Sequence, residues 1–299
     1  MRLYKLIGLE ILALEKEHRQ PRKKIQTFEA ILKNRGKMDE VIKEDLDRIK
    51  AEFAVPRKTL IEDGKEAVYE EEPEQVREVV FVIDRFGYCK LLDRSVCDKN
   101  IQAVQTESRW VVPCMTDDKI AVFTDTGNLH QIKVSDIPAG KMKDKGTPID
   151  NISKYDGTAE EIIFLTCGAA MKEKNLVFAT RMGLVKQVPA TEFETNNRTV
   201  ASTKLQDGDR VAEVVLAEGQ TDAVIQTDNG VFLRFMLEEI PEMKKNSRGV
   251  RGIKLAPGEE LERLYLIGEN PVVLYKEKEV HLNRLKIAKR DGKGSKVRL

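Results

Sequence analysis

The chain has 299 residues, of which 41% are apolar and 34% are charged, with 51 Lys and Arg against 50 Asp and Glu. This composition has too many core-forming residues for wholesale disorder, and the length allows one large domain or two ordinary ones. No apolar stretch approaches the ~20 residues of a membrane-spanning helix, and the charged start of the chain does not resemble a signal peptide. We therefore expect a cytoplasmic protein.

The first 63 residues predict helices. Apolar residues between Lys37 and Phe53 recur mostly at spacings of three or four, which places them on one stripe of a helix bounded by Gly36 and Pro56. A second amphipathic helix covers residues 3–14, and Pro21 should start or kink a third. The pattern fits a helical bundle and also a coiled-coil arm, and it contains too few heptads to choose between them.

Residues 64–76 predict an acidic linker. This stretch begins with Gly64, contains Pro73, and has five glutamates and one lysine, a net charge of −4. It would separate a helical segment, residues 1–63, from a second domain, residues 77–299. We favour a passive tether, extended by self-repulsion, over an acidic competitor for a basic surface.

From residue 77 the apolar pattern changes to period two, and a hairpin recurs. A short apolar strand, a polar turn and a second strand surround each of four glycines, Gly87, Gly127, Gly183 and Gly230. Because Asn and Gly tolerate positive φ, Asp228-Asn229-Gly230 predicts a primed hairpin turn. A fifth, degenerate copy begins at Val272 and has Glu279 where the glycine is expected.

A second element, a polar turn that ends in glycine, repeats out of phase with the hairpins, about every 50 residues, at Gly157, Gly208 and Gly258. A period of this length built from hairpins predicts one four-stranded sheet per repeat, with each sheet packed against its neighbours. The predicted fold is mainly β, a propeller of about five or six four-stranded blades that follows the helical segment.

The cysteines and histidines indicate no metal or catalytic site. The four cysteines, Cys89, Cys97, Cys114 and Cys167, form no CxxC pair, and the three histidines are scattered. We expect the cysteines to be small buried residues in a reducing compartment. The motifs of serine hydrolases, zinc peptidases, P-loop enzymes and dinucleotide-binding folds are also missing from the sequence. It therefore predicts no catalytic residue, no metal and no cofactor.

Basic residues cluster although the total charge is balanced. Residues 244–254 and 286–299 each have a net charge of +5, and three lysines occur within residues 141–145. Lys90 and Lys186 each lie three residues after a turn glycine, in matching places of two repeats. If matching positions line the rim of a propeller, they form a positive track for phosphate groups. Few aromatic residues accompany them, which argues against binding of single strands by base stacking.

The combination of a helical stretch and these repeats resembles the C-terminal part of the A subunit of a bacterial type IIA DNA topoisomerase, of either topoisomerase IV or gyrase. The stretches that carry the resemblance are RLYKLIGLEILALEKEHRQ, FEAILKNRGKMDEVIKEDLDRIKAEF and PRKTLIED in the helical segment, and TDNGVFLRF and SRGVRGIKLAPGEELERL in the repeats. The first three resemble the region that leaves the family's dimerisation gate and returns along its coiled-coil arm. The last two resemble blades of its β-pinwheel.

The resemblance implies a non-catalytic module that binds duplex DNA around its rim without sequence preference, bends it, and presents a segment for ATP-dependent strand passage. The catalytic tyrosine, ATP and Mg would belong to other parts of the parent enzyme, and the partners would be its B subunit, together with a second copy of the A subunit. No membrane partner is expected, and the location would be the bacterial nucleoid. The residues expected to contact phosphates are Lys244, Lys245, Arg248, Arg251, Lys254, Lys289, Arg290, Lys293, Lys296, Lys141, Lys143, Lys90 and Lys186.

One departure separates the two enzyme types. In the family that this chain resembles, gyrase A subunits share a Gln-Arg-Arg-Gly-Gly-Lys-Gly box in the first blade. The matching stretch of this chain, after Tyr88, reads CKLLDRSVCDKNIQAVQ and contains no glycine. Only SRGVRG at 247–252 and RDGKGSK at 290–296 are similar to the box. The missing box favours the topoisomerase IV type. The alternative function is a protein-interaction propeller with a dimerising arm and no affinity for DNA.

Overall fold

A computed structural model describes residues 3–56, 58, 59, 76–268 and 271–297. The chain divides into two units, Met1–Glu72 and Pro73–Leu299. The predicted linker, residues 64–76, lies outside the described residues except for Val76, so the domain boundaries stay a prediction. Within the described part of the chain, no helix is both long enough and apolar enough to cross a membrane.

The first unit consists of two helices, α1 (Leu3–Lys33) and α2 (Arg35–Phe53). Asn34 separates them, and its side chain accepts a hydrogen bond from the amide of Gly36 at the start of α2. Pro21 lies inside α1 and does not end it, so the two helices predicted around it are one. Proline removes only its own N–H donor, and the other hydrogen bonds of the helix can continue past it.

The second unit is built from short strands joined by tight turns and short helices. In chain order the strands are β1 (Glu78–Asp84), β2 (Tyr88–Asp93), β3 (Ser108–Met115), β4 (Lys119–Thr124), β5 (Asn128–Lys133), β6 (Thr147–Pro148), β7 (Ile162–Cys167), β8 (Asn175–Thr180), β9 (Leu184–Pro189), β10 (Thr199–Ala201), β11 (Val211–Ala217), β12 (Asp222–Thr227), β13 (Val231–Met236), β14 (Val250–Arg251), β15 (Leu261–Leu266), β16 (Val272–Tyr275), β17 (Lys278–His281) and β18 (Ser295–Lys296). The helices are α3 (Arg94–Lys99), α4 (Ile101–Glu107), α5 (Ile149–Ile152) and α6 (Gly168–Met171). One turn of 3-10 helix follows the hairpins at Val134–Asp136, Ala190–Phe193, Leu237–Glu239 and Leu282–Arg284.

Four antiparallel sheets share one strand order. They are sheet 1 (β3-β1-β2-β6), sheet 2 (β7-β4-β5-β10), sheet 3 (β11-β8-β9-β14) and sheet 4 (β15-β12-β13-β18). In each sheet a hairpin forms the two central strands. The third strand of the sheet in chain order pairs with the first strand of the hairpin, and the fourth pairs with the second. That last strand always comes from beyond the hairpin that follows, so each sheet is completed by chain that has already built part of its neighbour.

The mainly β, propeller-like fold class is confirmed, with a correction to the number of blades. The described residues form four four-stranded sheets, whereas the fifth copy forms only a two-stranded sheet, β16 with β17, which we call the end hairpin. After the end hairpin the chain returns to sheet 4 as β18. The residues that could have widened the fifth sheet are therefore used to complete the fourth.

The apolar core lies between successive sheets. Successive side chains of a strand point to opposite faces, so Ile120 and Val122 of β4 pack towards sheet 1, whereas Ala121 and Phe123 pack towards sheet 3. Both faces are covered, which explains why the first hairpin strands are continuous apolar runs. The remaining face of sheet 1 is covered by α3 and α4, where Val104 joins an apolar cluster with residues of β1.

All four cysteines are buried thiols, as predicted. Cys89, Cys114 and Cys167 belong to the core between sheets 1 and 2, and Cys97 of α3 packs on the other face of sheet 1. Burial raises the pKa of the Cys89 and Cys114 thiols to about 12. Such thiols are poor nucleophiles at neutral pH.

The four hairpin turns share one geometry. The amide of each turn glycine donates to the carbonyl three residues earlier, at 2.9–3.4 Å, and the glycine has a φ between +76° and +84°. The hairpin predicted at Asp228-Asn229-Gly230 is confirmed, but of these three residues only Gly230 has a positive φ, so the turn is not of a primed type. The end hairpin has positive φ at two non-glycine residues instead, 48° at Lys276 and 65° at Glu277.

The two edges of each sheet have different surroundings. The third strands touch one another from sheet to sheet, β3 with β7, β7 with β11, and β11 with β15, so these edges converge. The opposite edges are formed by β6, β10, β14 and β18. We call these four strands the outer strands.

Candidate nucleic-acid interface

A loop of similar length precedes each outer strand. Loop 1 (141–146) reads KMKDKG, loop 2 (193–198) reads FETNNR, loop 3 (244–249) reads KKNSRG and loop 4 (289–294) reads KRDGKG. The four loops lie at equivalent outer edges of sheets 1 to 4. Three of them are basic, whereas loop 2 has one arginine and one glutamate.

Most of the predicted phosphate contacts are exposed on or beside these loops. The exposed ones are Lys141 and Lys143 in loop 1, Lys244 and Arg248 in loop 3, Lys289 and Lys293 in loop 4, and Arg251, Lys254 and Lys296, which follow loops 3 and 4. Lys145, also exposed in loop 1, has its ammonium 4.2 Å from the centre of the Tyr88 ring. This lysine belongs to the cluster noted in the sequence but was not among the predicted contacts.

Loop 4 contacts the residues that directly follow loop 3. The amide of Lys254 donates to the carbonyl of Gly292 at 2.8 Å, and the amide of Asp291 donates to the carbonyl of Gly252 at 2.8 Å. Arg251 and Asp291 form a two-bond ion pair, with 2.9 Å between Arg251 Nη2 and Asp291 Oδ2. The structure thus brings together two basic clusters that are about 40 residues apart in sequence. Loop 1 belongs to sheet 1, which is separated from sheet 3 by sheet 2.

Lys186 is not a surface contact, and that prediction is wrong. The residue is only 1% exposed, and Nζ donates to the carbonyls of Ser202, Lys244, Lys245 and Ser247 at 3.3, 3.4, 2.7 and 3.0 Å. Burial lowers the pKa of its ammonium group to about 8, against the opposing effect of the Glu192 carboxylate.

Lys90 repeats this arrangement in sheet 1. Its Nζ donates to the carbonyls of Lys141, Met142 and Asp144 at 3.1, 2.9 and 2.6 Å, so its charge is directed into loop 1. The prediction that Lys90 and Lys186 occupy matching places is confirmed, but both bind protein carbonyls where phosphates were expected. A lysine can be buried when carbonyl oxygens replace its water shell.

Two further predicted contacts also bind protein groups. Lys245 Nζ donates to the carbonyl of Glu192. Arg290 donates from Nε to the carbonyl of Glu239 at 2.8 Å, and its amide binds the carboxylate of the same residue at 2.9 Å. These two side chains fix loops 3 and 4 to the body of the unit and present less free charge than the exposed lysines.

The glycine that ends loops 1 and 3 brings the loop close to its sheet. Gly146 and Gly249 have φ of +85° and +92°. A Cβ at these positions would lie 2.6 Å from the carbonyl oxygen of Cys89 and 2.7 Å from that of Val185. Only glycine combines this φ with such a close approach to the neighbouring strand.

The stretch after Tyr88, compared above with a glycine-rich box, folds as the remainder of β2 followed by α3 and α4. Its Cys97 and Val104 are buried against sheet 1. The residues between the first hairpin and β3 therefore serve to cover a sheet face. These helices were not predicted from the sequence, and they are only 6 and 7 residues long.

Sheet 2 has a different polar group in the place of the buried lysines. His130 lies three residues after Gly127 and is 2% exposed, with Nδ1 3.0 Å from Thr199 Oγ1 and Nε2 2.7 Å from Glu160 Oε2. The spacing from the turn glycine, which singled out Lys90 and Lys186, could also have identified His130 as their counterpart.

A family of known domains matches three of these repeats. The family described as "DNA gyrase C-terminal domain, beta-propeller" matches residues 118–165, 174–217 and 222–267. Each stretch covers the hairpin of sheet 2, 3 or 4 and reaches the third strand of that sheet.

Individual relatives and solved structures agree with this match. The A subunit of DNA gyrase from Lawsonia intracellularis is 29% identical over 90% of this chain and 34% of the relative. The corresponding gyrase subunit from Staphylococcus aureus (strain MRSA252) is 27% identical over 99% of this chain and 36% of the relative. The solved C-terminal domain of DNA topoisomerase IV has a TM-score of 0.66 and 24% identity, over 74% of this chain and 72% of that structure. The chain spans about a third of the length of the curated relatives it matches.

Proposed function

Because the β unit belongs to the family of DNA gyrase C-terminal β-propeller domains, we propose that this chain is a duplex-DNA-binding and bending module from the A subunit of a type II topoisomerase. The observation that carries the proposal is the set of exposed cations on loops 1, 3 and 4, at equivalent outer edges of three sheets. Side chains on flexible stems at an outer edge suit phosphate groups, which carry no sequence information.

The arrangement of the sheets supports the bending part of the proposal. The third strands of successive sheets contact one another, so the sheets are arranged around these inner edges, and a duplex that follows successive outer loops would follow a curve. Bending a stiff duplex costs on the order of 1–6 kcal/mol for a site of 20–30 base pairs, which several phosphate contacts can offset. The basic loops supply such contacts without base readout.

We favour the topoisomerase IV type over the gyrase type. The residues that follow the first hairpin form α3 and α4 and cover a sheet face, so they do not form a glycine-rich, basic loop. A module of this type bends DNA and presents it without imposing a positive wrap. In the parent enzyme, the catalytic tyrosine, ATP and Mg would belong to other regions, and the partners would be a B subunit, together with a second copy of the A subunit.

The test is binding of the purified chain to a relaxed duplex circle across a salt series, followed by ligation of a nicked circle and measurement of linking number. We expect affinity to fall steeply with salt, with a log–log slope of about −0.9 per phosphate contacted. We expect no positive shift in linking number. A positive shift would support the gyrase type, and no binding at low salt would contradict the proposal.

A second candidate function is protein interaction through the helical unit. Apolar side chains on both helices are exposed, among them Leu14, Phe28, Leu46 and Phe53. Such stripes indicate burial against another protein surface. If interaction is the main function, the chain will self-associate in sedimentation experiments and show no salt-dependent affinity for duplex DNA.

A further inference from the structure

Loops 1 and 3 have the same hydrogen-bond pattern. The lysine three residues after the turn glycine donates to the carbonyls of the first, second and fourth loop residues: Lys90 to 141, 142 and 144, and Lys186 to 244, 245 and 247. In both loops the amide of the fourth residue also donates to the carbonyl of the first, at 3.1 Å in loop 1 and 3.0 Å in loop 3. Two segments that are identical only at their first and last residues thus share one backbone path.

This path turns a set of amides outward. A trans peptide unit is planar, so its carbonyl and the following N–H point in opposite directions. Three carbonyls directed at the buried ammonium therefore direct the amides of the second, third and fifth loop residues away from the sheet. In loop 3 these are the amides of Lys245, Asn246 and Arg248, and in loop 1 those of Met142, Lys143 and Lys145.

Most of these amides have no protein acceptor. The amides of Lys143, Lys145, Asn246 and Arg248 donate to no group among the residues that the structure describes. The amide of Lys245 has a weak contact, 3.4 Å from Glu192 Oε2. The third and fifth residues of both loops thus present free N–H donors next to exposed cationic side chains.

We propose that Lys90 and Lys186 are positioning residues that shape loops 1 and 3 into two matching cradles for backbone phosphates of duplex DNA, with the outward amides as donors. The inference rests on the proposed function and adds the residues that organise it. Consecutive outward N–H groups form a concave site for anion oxygens. The exposed charges of Lys143, Lys145, Lys244 and Arg248 then add ionic attraction.

Sheets 2 and 4 lack the positioning lysine, which explains why the cradle occurs twice. The corresponding residues are His130, which binds Thr199 and Glu160, and Leu233, which is apolar. Loop 4 is fixed by its own Arg290, whose guanidinium binds the carbonyls of Glu239 and Arg251. Loop 4 can therefore supply side-chain charge to DNA but is organised differently.

The first experiment uses amide nitrogen–proton spectra of the full, deuterated wild-type chain during titration with a short duplex. We expect the amide signals of Asn246, Arg248, Lys143 and Lys145 to move downfield, as phosphate oxygens accept their hydrogen bonds, while amides of the buried β12 stay unchanged. Duplex binding without these shifts would overturn the cradle and leave the proposed function intact. No binding at all would instead contradict the proposed function. Shifts with inorganic phosphate but none with duplex would overturn the assignment to phosphodiester groups.

The second experiment compares Lys186→Met with Lys172→Met. Lys172 is exposed and lies outside the loops, and its substitution removes the same charge. We expect Lys186→Met to lower duplex affinity by roughly tenfold and the salt slope by about 1, with the loop 3 amide shifts lost, although no exposed cation is removed. Lys172→Met should change affinity less than about twofold. Equal effects of the two variants would overturn the positioning role. If Lys186→Met does not fold, Lys90→Met applies the same test to loop 1, because Lys90 is only half-buried.

Discussion

Loops 2 and 3 occupy the same place in adjacent sheets but are built around different side chains. Loop 3 surrounds the buried ammonium of Lys186 and exposes cations, whereas loop 2 is next to the His130–Glu160 pair and carries Glu194 as well as Arg198. The strand pairing of the two sheets is nevertheless equivalent. The comparison shows that the sheets share one strand arrangement, whereas the charge of the loop at the outer edge differs from one sheet to the next.

The largest effect should come from reversing the exposed charges of loop 3. In the double variant Lys244→Glu/Arg248→Glu, two attractive phosphate contacts become repulsive, and we expect duplex affinity to fall about 100-fold near 100 mM salt. The loss should be equal for unrelated DNA sequences, because phosphates carry no sequence information. Fluorescence anisotropy with two labelled duplexes measures both points.

The matched control for that variant is Lys133→Glu/Lys172→Glu, two exposed lysines outside the outer loops. It changes the net charge by the same amount and should lower affinity much less, since screening weakens charges beyond about 10 Å. An equal loss in the control would mean that net charge decides binding and that loop 3 has no special place in it.

A smaller effect is expected from the glycine that ends loop 3. Gly249→Ala combines a φ of +92° with a Cβ only 2.7 Å from the carbonyl oxygen of Val185, so the loop must move or the sheet must open. We expect a loss of about 2–3 kcal/mol in unfolding free energy, measured with urea, and weaker duplex binding. Loop 2 should not show this sensitivity, because its last residue, Arg198, does not have a positive φ.

The control for the backbone effect is Gly258→Ala. Gly258 has a similar φ of +78°, but no atom lies within 4 Å of the position of its Cβ. The cost should be about 1 kcal/mol, with duplex affinity unchanged. If both alanine variants lose the same stability and affinity, the close approach of loop 3 to β9 has no role.

The pH dependence offers a finer separation of loops 2 and 3. Since the pKa of Lys186 is lowered to about 8 in the folded chain, its ammonium loses a proton between pH 7 and pH 9 and has fewer donors for the loop carbonyls. As the pH rises from 7 to 9, we expect duplex affinity to fall by roughly threefold with a midpoint near pH 8. This step should be missing in Lys186→Met. The charged group that acts on Lys186 is the Glu192 carboxylate, which favours the ammonium form, whereas Lys244 and Lys245 contribute backbone carbonyls.

Stability should change in the opposite direction. Between about pH 8 and pH 10.5 an unfolded chain keeps the Lys186 proton that the folded chain has lost, so the unfolded state binds more protons and the unfolding free energy contributed by this group rises with pH. Urea unfolding of wild type and Lys186→Met at pH 7.5 and pH 9.5 measures the difference. Affinity and stability that fall together would contradict the assignment of the step to Lys186.

Much of the fold could be predicted because its signals are local. A glycine in a tight turn, flanked by apolar strands, recurs in each of the four sheets, and the structure places a hairpin at each of them. The outer strands could not be predicted, because they are two or three residues long and pair with a strand that lies before the intervening hairpin in the chain. A pattern of neighbouring residues in the sequence does not indicate a pairing between strands so far apart in the chain.

The candidate site was likewise predictable from the sequence only in part. The clusters of lysine and arginine are visible in the sequence, and most of them are exposed. The burial of Lys186 was not predictable from its neighbours, because three of the carbonyls that replace its water belong to residues 58–61 positions later in the chain. Position relative to the turn glycine gave the equivalence of Lys90 and Lys186 but not the direction of their side chains.

The smallest effect concerns the contact between loops 3 and 4. The hydrogen bond from Arg251 lowers the pKa of the Asp291 carboxyl, so Asp291 stays ionised at neutral pH and neutralises part of the positive charge that was predicted to contact DNA. We expect Asp291→Asn to raise duplex affinity about twofold, because it removes a negative charge and frees Arg251 for a phosphate. Arg251→Gln should weaken binding by a similar factor, and the double variant, which also loses the negative charge, should bind more tightly than Arg251→Gln and less tightly than Asp291→Asn. If Asp291→Asn weakens binding instead, the ion pair is needed to hold loops 3 and 4 together, and Arg251 acts by joining the loops and not as a phosphate contact.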